Sequence, residues 1–250
     1  MTVGEIYGLA HGLAATAEGG HSDIEFARFA LPYRIAISML TTKVSILKEN
    51  LIDRDGCCPI VAVSSRVKTL DSIRRKAQRI GCPLTVDDLR TNILDIAGVR
   101  VTCGVLSDTY RIATMLSQQP DVTVIEVEDY IAHPKPNGYK SFHMIIEVPV
   151  LLSDRVERVP VELQIRTIAM DLWASLEHKI YHTYERAVPT RLLNELTDAA
   201  DAAHRLDMKM QLLHNEVAAL AAAQDAHDVH LDLPPPSTID DWRPGTGRHL

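Results

Sequence analysis

A proline- and lysine-rich stretch between two strand-like runs combines residue types suited to binding a flat base and its phosphates. It extends from Asp129 to His143 and has the sequence DYIAHPKPNGYKSFH. A simple connection needs only turn-forming residues, which Pro-Asn-Gly supplies. Tyr139 directly follows the glycine and lies between Lys135 and Lys140, so an aromatic ring for stacking is flanked by cations for phosphates. The stretch therefore suggests a nucleotide-binding loop.

A second polar group lies on one face of a predicted strand. Glu162, Gln164 and Arg166 alternate with apolar residues, and successive side chains of a strand point to opposite faces. A solvent-facing strand gives the same alternation and is the commoner explanation. Asp95, just before another predicted strand, favours a functional alternative, because two carboxylates from different strands can hold Mg²⁺ against a triphosphate. The sequence leaves both interpretations open.

The segment from Arg66 to Arg79 supplies the cations that a polyphosphate site needs. It contains six basic residues and one acidic residue, Asp71, on a chain of net charge −7. Polyphosphate binding and a solvated helix face explain this charge about equally well. The usual glycine-rich phosphate motifs are missing, so side-chain cations would have to bind the phosphates. The acidic net charge argues against a protein that coats nucleic acid, and no stable nucleic-acid partner is expected.

The apolar pattern predicts an α/β (α+β) fold with a central mixed β-sheet of about five strands, flanked by long N- and C-terminal helices. The expected strands are 60–63, 98–103, 122–127, 141–148 and 157–165. The last two strands should form an antiparallel hairpin. Shorter helices are expected at 69–80, 108–118 and 167–184, with Ser107 and Thr167 as N-caps of the latter two.

Two long helices carry apolar residues at alternating spacings of three and four. One is expected at 31–51, with Pro32 in its first turn, and the other at 190–224, after Pro189. They could pack together within one subunit or between subunits, and we assign them as oligomerisation helices. Composition predicts a flexible arm at 1–22, a domain at 23–226 and a disordered tail at 227–250.

Composition and targeting signals predict a cytoplasmic protein without a membrane partner. The chain has 46% apolar and 24% charged residues, as in ordinary globular proteins. No apolar run approaches the roughly 20 residues of a membrane span, and the N-terminus lacks the features of a signal peptide. The four cysteines contain no C-x-x-C pair, which favours reduced thiols.

Several motifs, in order along the chain, resemble the synthetase domain of RelA/SpoT-type alarmone enzymes. They comprise 66–76, 95–100, 129–143, 161–167 and 169–178. The resemblance extends from about Leu31 to Leu220. Long relatives also have an N-terminal hydrolase domain and C-terminal regulatory domains, which would not fit here. The chain therefore resembles a stand-alone small alarmone synthetase without hydrolase activity.

The resemblance implies a nucleotidyltransferase-like domain with a defined reaction. The β,γ-pyrophosphate of ATP would be transferred to the ribose 3′-hydroxyl of GDP or GTP, giving AMP and ppGpp or pppGpp. Mg²⁺ would be the cofactor, held by Asp95 and Glu162, with Glu162 also activating the 3′-hydroxyl. The partners would be the two nucleotide substrates and further copies of the chain, with a tetramer favoured.

The resemblance also implies which residues bind each nucleotide. The expected ATP-binding residues are Arg66, Lys68, Ser72, Lys76 and Arg100. The expected GTP/GDP-binding residues are Lys135, Asn137, Tyr139, Lys140, His143, Gln164, Ala169 and Asp171. Relatives often have Asn at the position of Asp171, where a carboxylate could accept hydrogen bonds from N1–H and N2–H₂ of guanine.

Two other functions fit the same motifs. One is a toxin-like relative that transfers pyrophosphate to the 3′ end of tRNA, which the acidic net charge disfavours. The other is a degraded relative that binds nucleotide or RNA as a regulator. The intact Asp95, Glu162 and Tyr139 argue against such a loss of chemistry.

Overall fold

The computed structural model describes residues 19–184 and 188–231. Its elements are α1 (Gly19–Asp55), β1 (Ile60–Val67), α2 (Leu70–Ile80), α3 (Val86–Asn92), β2 (Ala97–Cys103), α4 (Leu106–Ser117), β3 (Thr123–Asp129), β4 (Phe142–Leu151), β5 (Val156–Thr167), α5 (Ile168–Thr183) and α6 (Thr190–Leu231). The chain divides into one compact unit that ends at Gln211 and a second that begins at Leu212.

A five-stranded mixed sheet in the order β1-β2-β5-β4-β3 confirms the predicted fold class. Strands β2 and β5 pair in parallel, whereas the other neighbours are antiparallel. The predicted hairpin is formed by β4 and β5, and its turn is closed by the Leu152 amide, which donates to the carbonyl oxygen of Arg155 at 2.8 Å. The central position of β5 places its alternating side chains in the middle of the sheet.

One face of the sheet is covered by helices and the other is left for polar side chains. Helix α1 contacts β1, β2, β4 and β5, and its residues Tyr33, Leu40 and Val44 are buried in the core. On the strand that α1 crosses, Leu163 and Ile165 are also fully buried. Because side chains alternate along a strand, the polar residues between them lie on the opposite face.

Helix α2, which carries most of the basic segment, has well-formed ends. The hydroxyl of Thr69 accepts a hydrogen bond from the backbone amide of Ser72 at the N-terminus. Gly81 ends the helix with φ +68°, a left-handed conformation that glycine adopts without strain. The predicted end at Gly81 is confirmed.

The N-terminal helix begins earlier than predicted. Helix α1 starts at Gly19, so Pro32 lies inside it rather than in its first turn. Proline removes one helical hydrogen bond, but Phe29 and Tyr33 on either side of Pro32 are buried in the core and hold the helix there. Residues 19–22 of the predicted arm are therefore helical, and residues 1–18 lie outside the described residues.

Helix α4 begins differently from the prediction. Val105, not Ser107, occupies its N-cap position, without a side-chain cap. The backbone amide of Ser107 instead donates to Oε1 of Gln211 at 2.8 Å. Helix α3 was not expected at all, because its short sequence lacks a clear period. Thr85 caps α3, and the burial of Val86 and Leu89 stabilises it.

Two further sequence expectations concern the end of the chain and its thiols. Helix α6 continues to Leu231, beyond the expected end at 224, so residues 227–231 of the predicted tail are helical; residues 232–250 lie outside the described residues. All four cysteines fall within the described ranges and are free thiols. Over those same ranges, no helix is long and apolar enough to cross a bilayer.

Replacing the buried Leu163 by alanine tests the central position of β5. We expect Leu163→Ala to lower the free energy of unfolding by about 2–5 kcal/mol, because the strand is packed against α1 and cannot collapse into the cavity. Leu151→Ala is the matched control, since this leucine is 70% exposed, and its effect should stay within about 0.5 kcal/mol. Urea denaturation measures both, and equal effects would contradict the packing described.

Candidate active site

Two rows of side chains cross the open face of the sheet, perpendicular to the strands. The first row contains Arg66, Gly98, Glu162, Ile145 and Glu126. The second contains Ser64, Arg100, Gln164, His143 and Glu128. Neighbouring strands lie about 4.8 Å apart, so residues that are far apart in the sequence become neighbours here. The predicted site residues that therefore share this surface are Arg66, Arg100, His143, Glu162 and Gln164.

Two pockets open on this face, and Glu162 lines both. The first has a volume of about 180 Å³ and is lined on its polar side by Ser64, Arg66, Arg100, Glu162 and Gln164. The second has a volume of about 240 Å³, and its charged and titratable lining residues are Lys76, Asp95, Glu126, Glu128, His143 and Glu162. The structure therefore brings the two predicted metal-binding carboxylates together.

Asp95 is held between two lysines of the predicted ATP side. Lys68 Nζ lies 2.6 Å from Oδ2 of Asp95, and Lys76 Nζ lies 2.7 Å from Oδ1. Burial acts to raise the pKa of Asp95, but the two lysines outweigh it and leave that pKa below its usual value. Burial lowers the pKa of Lys68 despite the pairing. Asp95 is thus kept ionised, with cations beside it.

Glu162 is in the opposite electrostatic situation. Burial, followed by the negative charge of Asp95, raises the pKa of Glu162 above its usual value. The Gln164 amide donates to Oε2 of Glu162 at 2.9 Å and acts against this increase. A carboxylate with a raised pKa is a better proton acceptor. The pair therefore combines one strongly ionised carboxylate and one basic carboxylate.

This donor set fits Mg²⁺. That ion is usually bound through one or two carboxylates together with substrate phosphates and water, and Asp95 and Glu162 line the same pocket. In the described parts of the chain, no group of three or more potential metal ligands assembles. The two carboxylates are the residues that would hold the ion.

The acceptor loop, residues 130–141, is closed by its own hydrogen bonds. The amide of Gly138 donates to the carbonyl oxygen of Lys135 at 2.8 Å. The amide of Lys135 donates to the carbonyl oxygen of Tyr139 at 3.1 Å. Asn137 accepts from the Tyr139 amide and donates to Oε1 of Glu177 on α5 at 3.1 Å. Asn137, predicted to bind the acceptor, here shapes the loop.

The hydroxyl of Tyr139 connects the loop to the sheet. It lies 2.6 Å from Nη2 of Arg166 and 2.7 Å from Nε2 of His143. Arginine can only donate, so the tyrosine oxygen accepts from Arg166 and its proton points to His143. With the imidazole proton assigned to Nδ1, that atom lies 3.6 Å from Oε1 of Glu162, beyond direct hydrogen-bond distance. The loop is thus hydrogen-bonded to the histidine, and the carboxylate lies next to the histidine.

His143 is neutral in this environment. Burial, assisted by the positive charges of Arg166, Lys135 and Arg100, lowers the pKa of His143 to about 3. The imidazole can therefore accept from Tyr139 and donate towards Glu162 at neutral pH. It contributes hydrogen bonding rather than charge to the site.

Aromatic rings lie around Tyr139, and the ammonium group of Lys135 lies over the rings of Tyr130 and Tyr139. The ring centroid of Tyr139 lies 5.9 Å from that of Tyr130 and 6.3 Å from that of Trp173. Lys135 Nζ lies 4.2 Å from the Tyr130 centroid and 5.3 Å from the Tyr139 centroid. These cation–π contacts place the ammonium group beside the predicted guanine-stacking ring.

Eight of the predicted residues line neither pocket: Lys68 at Asp95, the loop residues Lys135, Asn137 and Tyr139, and four others. Lys140 lies in a small separate pocket behind the loop, with Trp173 and Asp207 among its lining residues. Burial lowers the pKa of Lys140, while Asp201 and Asp207 act against this. The other three are Ala169, which is buried in the first turn of α5, Ser72, whose hydroxyl accepts from Thr69 and Arg75, and Asp171, which pairs with arginines. The structure does not bring Lys140 and Ala169 to the two pockets.

Asp171 forms ion pairs with arginines from two strands. Its Oδ1 lies 3.0 Å from Nη1 of Arg100 and 3.2 Å from Nη1 of Arg166. Arg166 is only 4% exposed. It was not among the predicted binding residues. Its alternation with Glu162 and Gln164 could have indicated it. Glu126 and Glu128 were also missed, since alternation along a single edge strand is a weak signal.

Fold and site together define an α+β domain with two adjacent pockets. The cationic pocket is the one lined by Arg66 and Arg100, and the carboxylate pocket is the one lined by Asp95, Glu126 and Glu128. The family model described as a region found in RelA/SpoT proteins matches residues 65–187. GTP pyrophosphokinase YwaC of Bacillus subtilis (strain 168) is 49% identical over 187 residues, which cover 75% of this chain and 89% of YwaC. The chain belongs to the RelA/SpoT family.

Two solved structures are similar to this fold. The small alarmone synthetase 1 from Bacillus subtilis bound to its product pppGpp has a TM-score of 0.72 and 35% identity, covering 77% of this chain and 98% of that one. The same synthetase bound to AMPCPP has a TM-score of 0.68 and 32% identity, covering 78% and 98%.

Gly138 provides a test of how the loop is supported. Its φ is +87°, and an added Cβ would lie 2.5 Å from Cβ of Ala200 on α6. We expect Gly138→Ala to destabilise the protein by about 1–3 kcal/mol, from backbone strain and this clash. In an Ala200→Gly background the same change should cost at least about 0.5 kcal/mol less. Urea denaturation of the parent, the two single variants and the double variant completes this double-mutant cycle. Strict additivity of the two changes would show that α6 does not support the loop.

The neutral state of His143 predicts a pH dependence of stability. Its folded pKa of about 3 lies below the ordinary value of 6.5, so its contribution is fully present above pH 6.5 and is lost as the pH falls towards 3. Between pH 7 and pH 5 this loss is about 2 kcal/mol. His143→Gln, which still offers an acceptor to Tyr139, should show a correspondingly smaller loss. Equal losses in parent and variant, measured by urea denaturation at both pH values, would contradict this prediction.

Proposed function

We propose that this chain is a GTP pyrophosphokinase, a small alarmone synthetase. It transfers the β,γ-pyrophosphate of ATP to the 3′-hydroxyl of GDP or GTP and yields AMP and ppGpp or pppGpp. The observation that carries the proposal is the position of Glu162, which lines both the cationic pocket and the carboxylate pocket. Each pocket contains predicted donor-side residues, Arg66 and Arg100 in one and Lys76 in the other, and a predicted acceptor-side residue, Gln164 or His143, so Glu162 lies between the two sets. The similarity to synthetases bound to AMPCPP and pppGpp supports this assignment.

The donor side is built from guanidinium and ammonium groups. Arg66 and Arg100 line the same pocket and offer planar groups that can stack on adenine. Lys68 and Lys76 lie at the Asp95 carboxylate, where they can contact the triphosphate. Positioning and charge neutralisation by such cations provide most of the catalysis in phosphoryl-type transfer.

The acceptor side depends on the loop. Tyr139 stacks on guanine, and base–aromatic stacking contributes about 1–3 kcal/mol. Lys135 beside the ring is available for the acceptor phosphates. The hydroxyl of Tyr139 is hydrogen-bonded to His143, whose Nδ1 lies 3.6 Å from Oε1 of Glu162. The acceptor ribose is thereby brought towards the carboxylate that removes its proton.

The reaction forms one P–O bond, breaks another and transfers one proton. The acceptor 3′-oxygen bonds to the β-phosphorus of ATP, its proton passes to Glu162, and the bond from that phosphorus to the α,β-bridging oxygen breaks to release AMP. The raised pKa of Glu162 suits it to accept this proton. Mg²⁺, held by Asp95 and Glu162 when bound, offsets negative charge on the phosphates.

The proposal also covers the oligomeric state and the cellular location of the protein. We infer a homo-oligomer, with a tetramer favoured, working in the cytoplasm where its nucleotide substrates are made. Supporting it, the second unit exposes apolar side chains along its helix: Leu212, Leu213, Val217 and Leu220. Exposed apolar groups at such spacing favour helix pairing. Sedimentation velocity tests the assembly.

Glu162→Gln tests the role of the carboxylate. The amide preserves size but cannot accept the proton, so we expect kcat to fall by at least about 10²-fold. GDP affinity, measured by calorimetry, should change less than about tenfold, because the group acts on the reacting centre. The assay uses Mg²⁺, γ-labelled ATP and either GDP, GTP or tRNA, with separation of labelled products.

The control and the contrary outcome can be stated for the same assay. Glu147→Gln changes a carboxylate on β4 that is not among the lining residues of either pocket, so its kcat should remain near that of the parent. If the parent labels tRNA and no guanine nucleotide, the proposed function is wrong. If Glu162→Gln retains the kcat of the parent, Glu162 is not the proton acceptor.

A further inference from the structure

Asp171 is shared between the two sides of the site. It lies in the first turn of α5, a helix capped by Thr167, which accepts from the Met170 amide. One oxygen, Oδ1, receives both Arg100 at 3.0 Å and Arg166 at 3.2 Å. Arg100 lines the donor pocket, whereas Arg166 bonds to the ring hydroxyl of the acceptor loop. One carboxylate oxygen therefore connects the two substrate sides.

The two arginines differ in their freedom to move. The side chain of Arg166 is 5% exposed, and it also donates to Gln164 at 3.0 Å and to Ser141 at 3.3 Å. The side chain of Arg100 is 35% exposed. Because Arg166 is held by several partners in the interior, Arg100 is the member of the pair that a ligand can draw away.

The positive charges of Arg166 and Arg66 disfavour the charged form of Arg100, whereas Asp171 and, to a smaller extent, Tyr139 favour it. Burial, followed by the positive charge of Arg166, lowers the pKa of Arg100, and Asp171 acts against both. A ligand that provides another partner for Arg100 would therefore separate two like charges as well as replace the ion pair. Adenine, with its phosphates, is such a ligand on the donor side.

We propose that Asp171 and Arg166 are positioning residues that couple the two nucleotide sites by exchange of this ion pair. ATP draws Arg100 from Asp171, and the carboxylate, still oriented by Arg166, becomes available to N1–H and N2–H₂ of guanine. This inference rests on the proposed function. By linkage, guanine bound at Asp171 must favour release of Arg100 to ATP to the same extent. Each nucleotide therefore strengthens binding of the other.

Calorimetry of the full chain tests the coupling without turnover. AMPCPP is titrated with and without saturating GDP, and GDP with and without saturating AMPCPP, in the presence of Mg²⁺. We expect the Kd of each nucleotide to fall by at least about fivefold when the other is present. In Asp171→Asn, the amide oxygen can still accept from guanine but forms no ion pair, and the fall should be less than about twofold.

A matched variant controls for the loss of one negative charge. Asp154 is an exposed turn carboxylate that pairs with Arg155, and Asp154→Asn should keep the coupling of the parent. Arg166→Lys retains the positive charge but cannot hold Tyr139, Gln164 and Asp171 together. It should also reduce the coupling. Circular dichroism of each variant verifies that it is folded.

The outcomes separate this inference from the function on which it rests. If both nucleotides bind the parent independently, or if Asp171→Asn keeps the full coupling, the ion-pair exchange is wrong while the synthetase function stands. If AMPCPP or GDP does not bind the parent at all, both proposals fail. A crystal structure with AMPCPP gives a second reading: Arg100 should have left Asp171, and an intact pair there would overturn the exchange.

Discussion

The parallel pairing of β2 with β5 is the constraint on which the site depends. It sets Gly98 beside Glu162 and Arg100 beside Gln164 in the middle of the sheet, with apolar neighbours buried on the reverse side under α1. A shift of one residue in this register would exchange the two faces and bury the charges in the core. The hydrophobic packing of Val101, Leu163 and Ile165 therefore determines where the chemistry can occur, although none of these residues lines either pocket.

The charges on the open face are stable there because they neutralise one another. Asp95 has two lysines and Asp171 has two arginines, while His143 is uncharged. At Glu162, burial and Asp95 disfavour the ionised form more strongly than Gln164, Arg66 and Lys68 favour it. A buried carboxylate that is incompletely compensated is costly, and that cost gives the basicity that the proposed proton acceptor requires. Structural and catalytic demands are thus met by different members of one network.

Local signals were sufficient for much of this arrangement. Thr69 and Gly81 mark the ends of the basic helix, and the alternation along β5 correctly placed Glu162 and Gln164 on one face. Partners that are distant in the sequence were not predictable. Lys140 follows the loop tyrosine directly but lies behind the loop near acids of α6. Nothing in a linear pattern indicates that Ala200 of α6, which is 62 residues after Gly138, supports the loop.

The difference between neighbours in the sequence and neighbours in the fold also bears on Asp171, which contacts arginines of two strands. As a sequence position it could only be assigned to the nearest expected ligand, guanine. In the fold it meets a partly exposed arginine, Arg100, from the proposed donor side and a buried one, Arg166, from the proposed acceptor side. A site that pairs its own charges before substrates arrive need not bury uncompensated charge, so binding exchanges partners instead of creating them. Under the proposed ion-pair exchange, the two substrates draw on one set of partners, and their binding energies are therefore coupled.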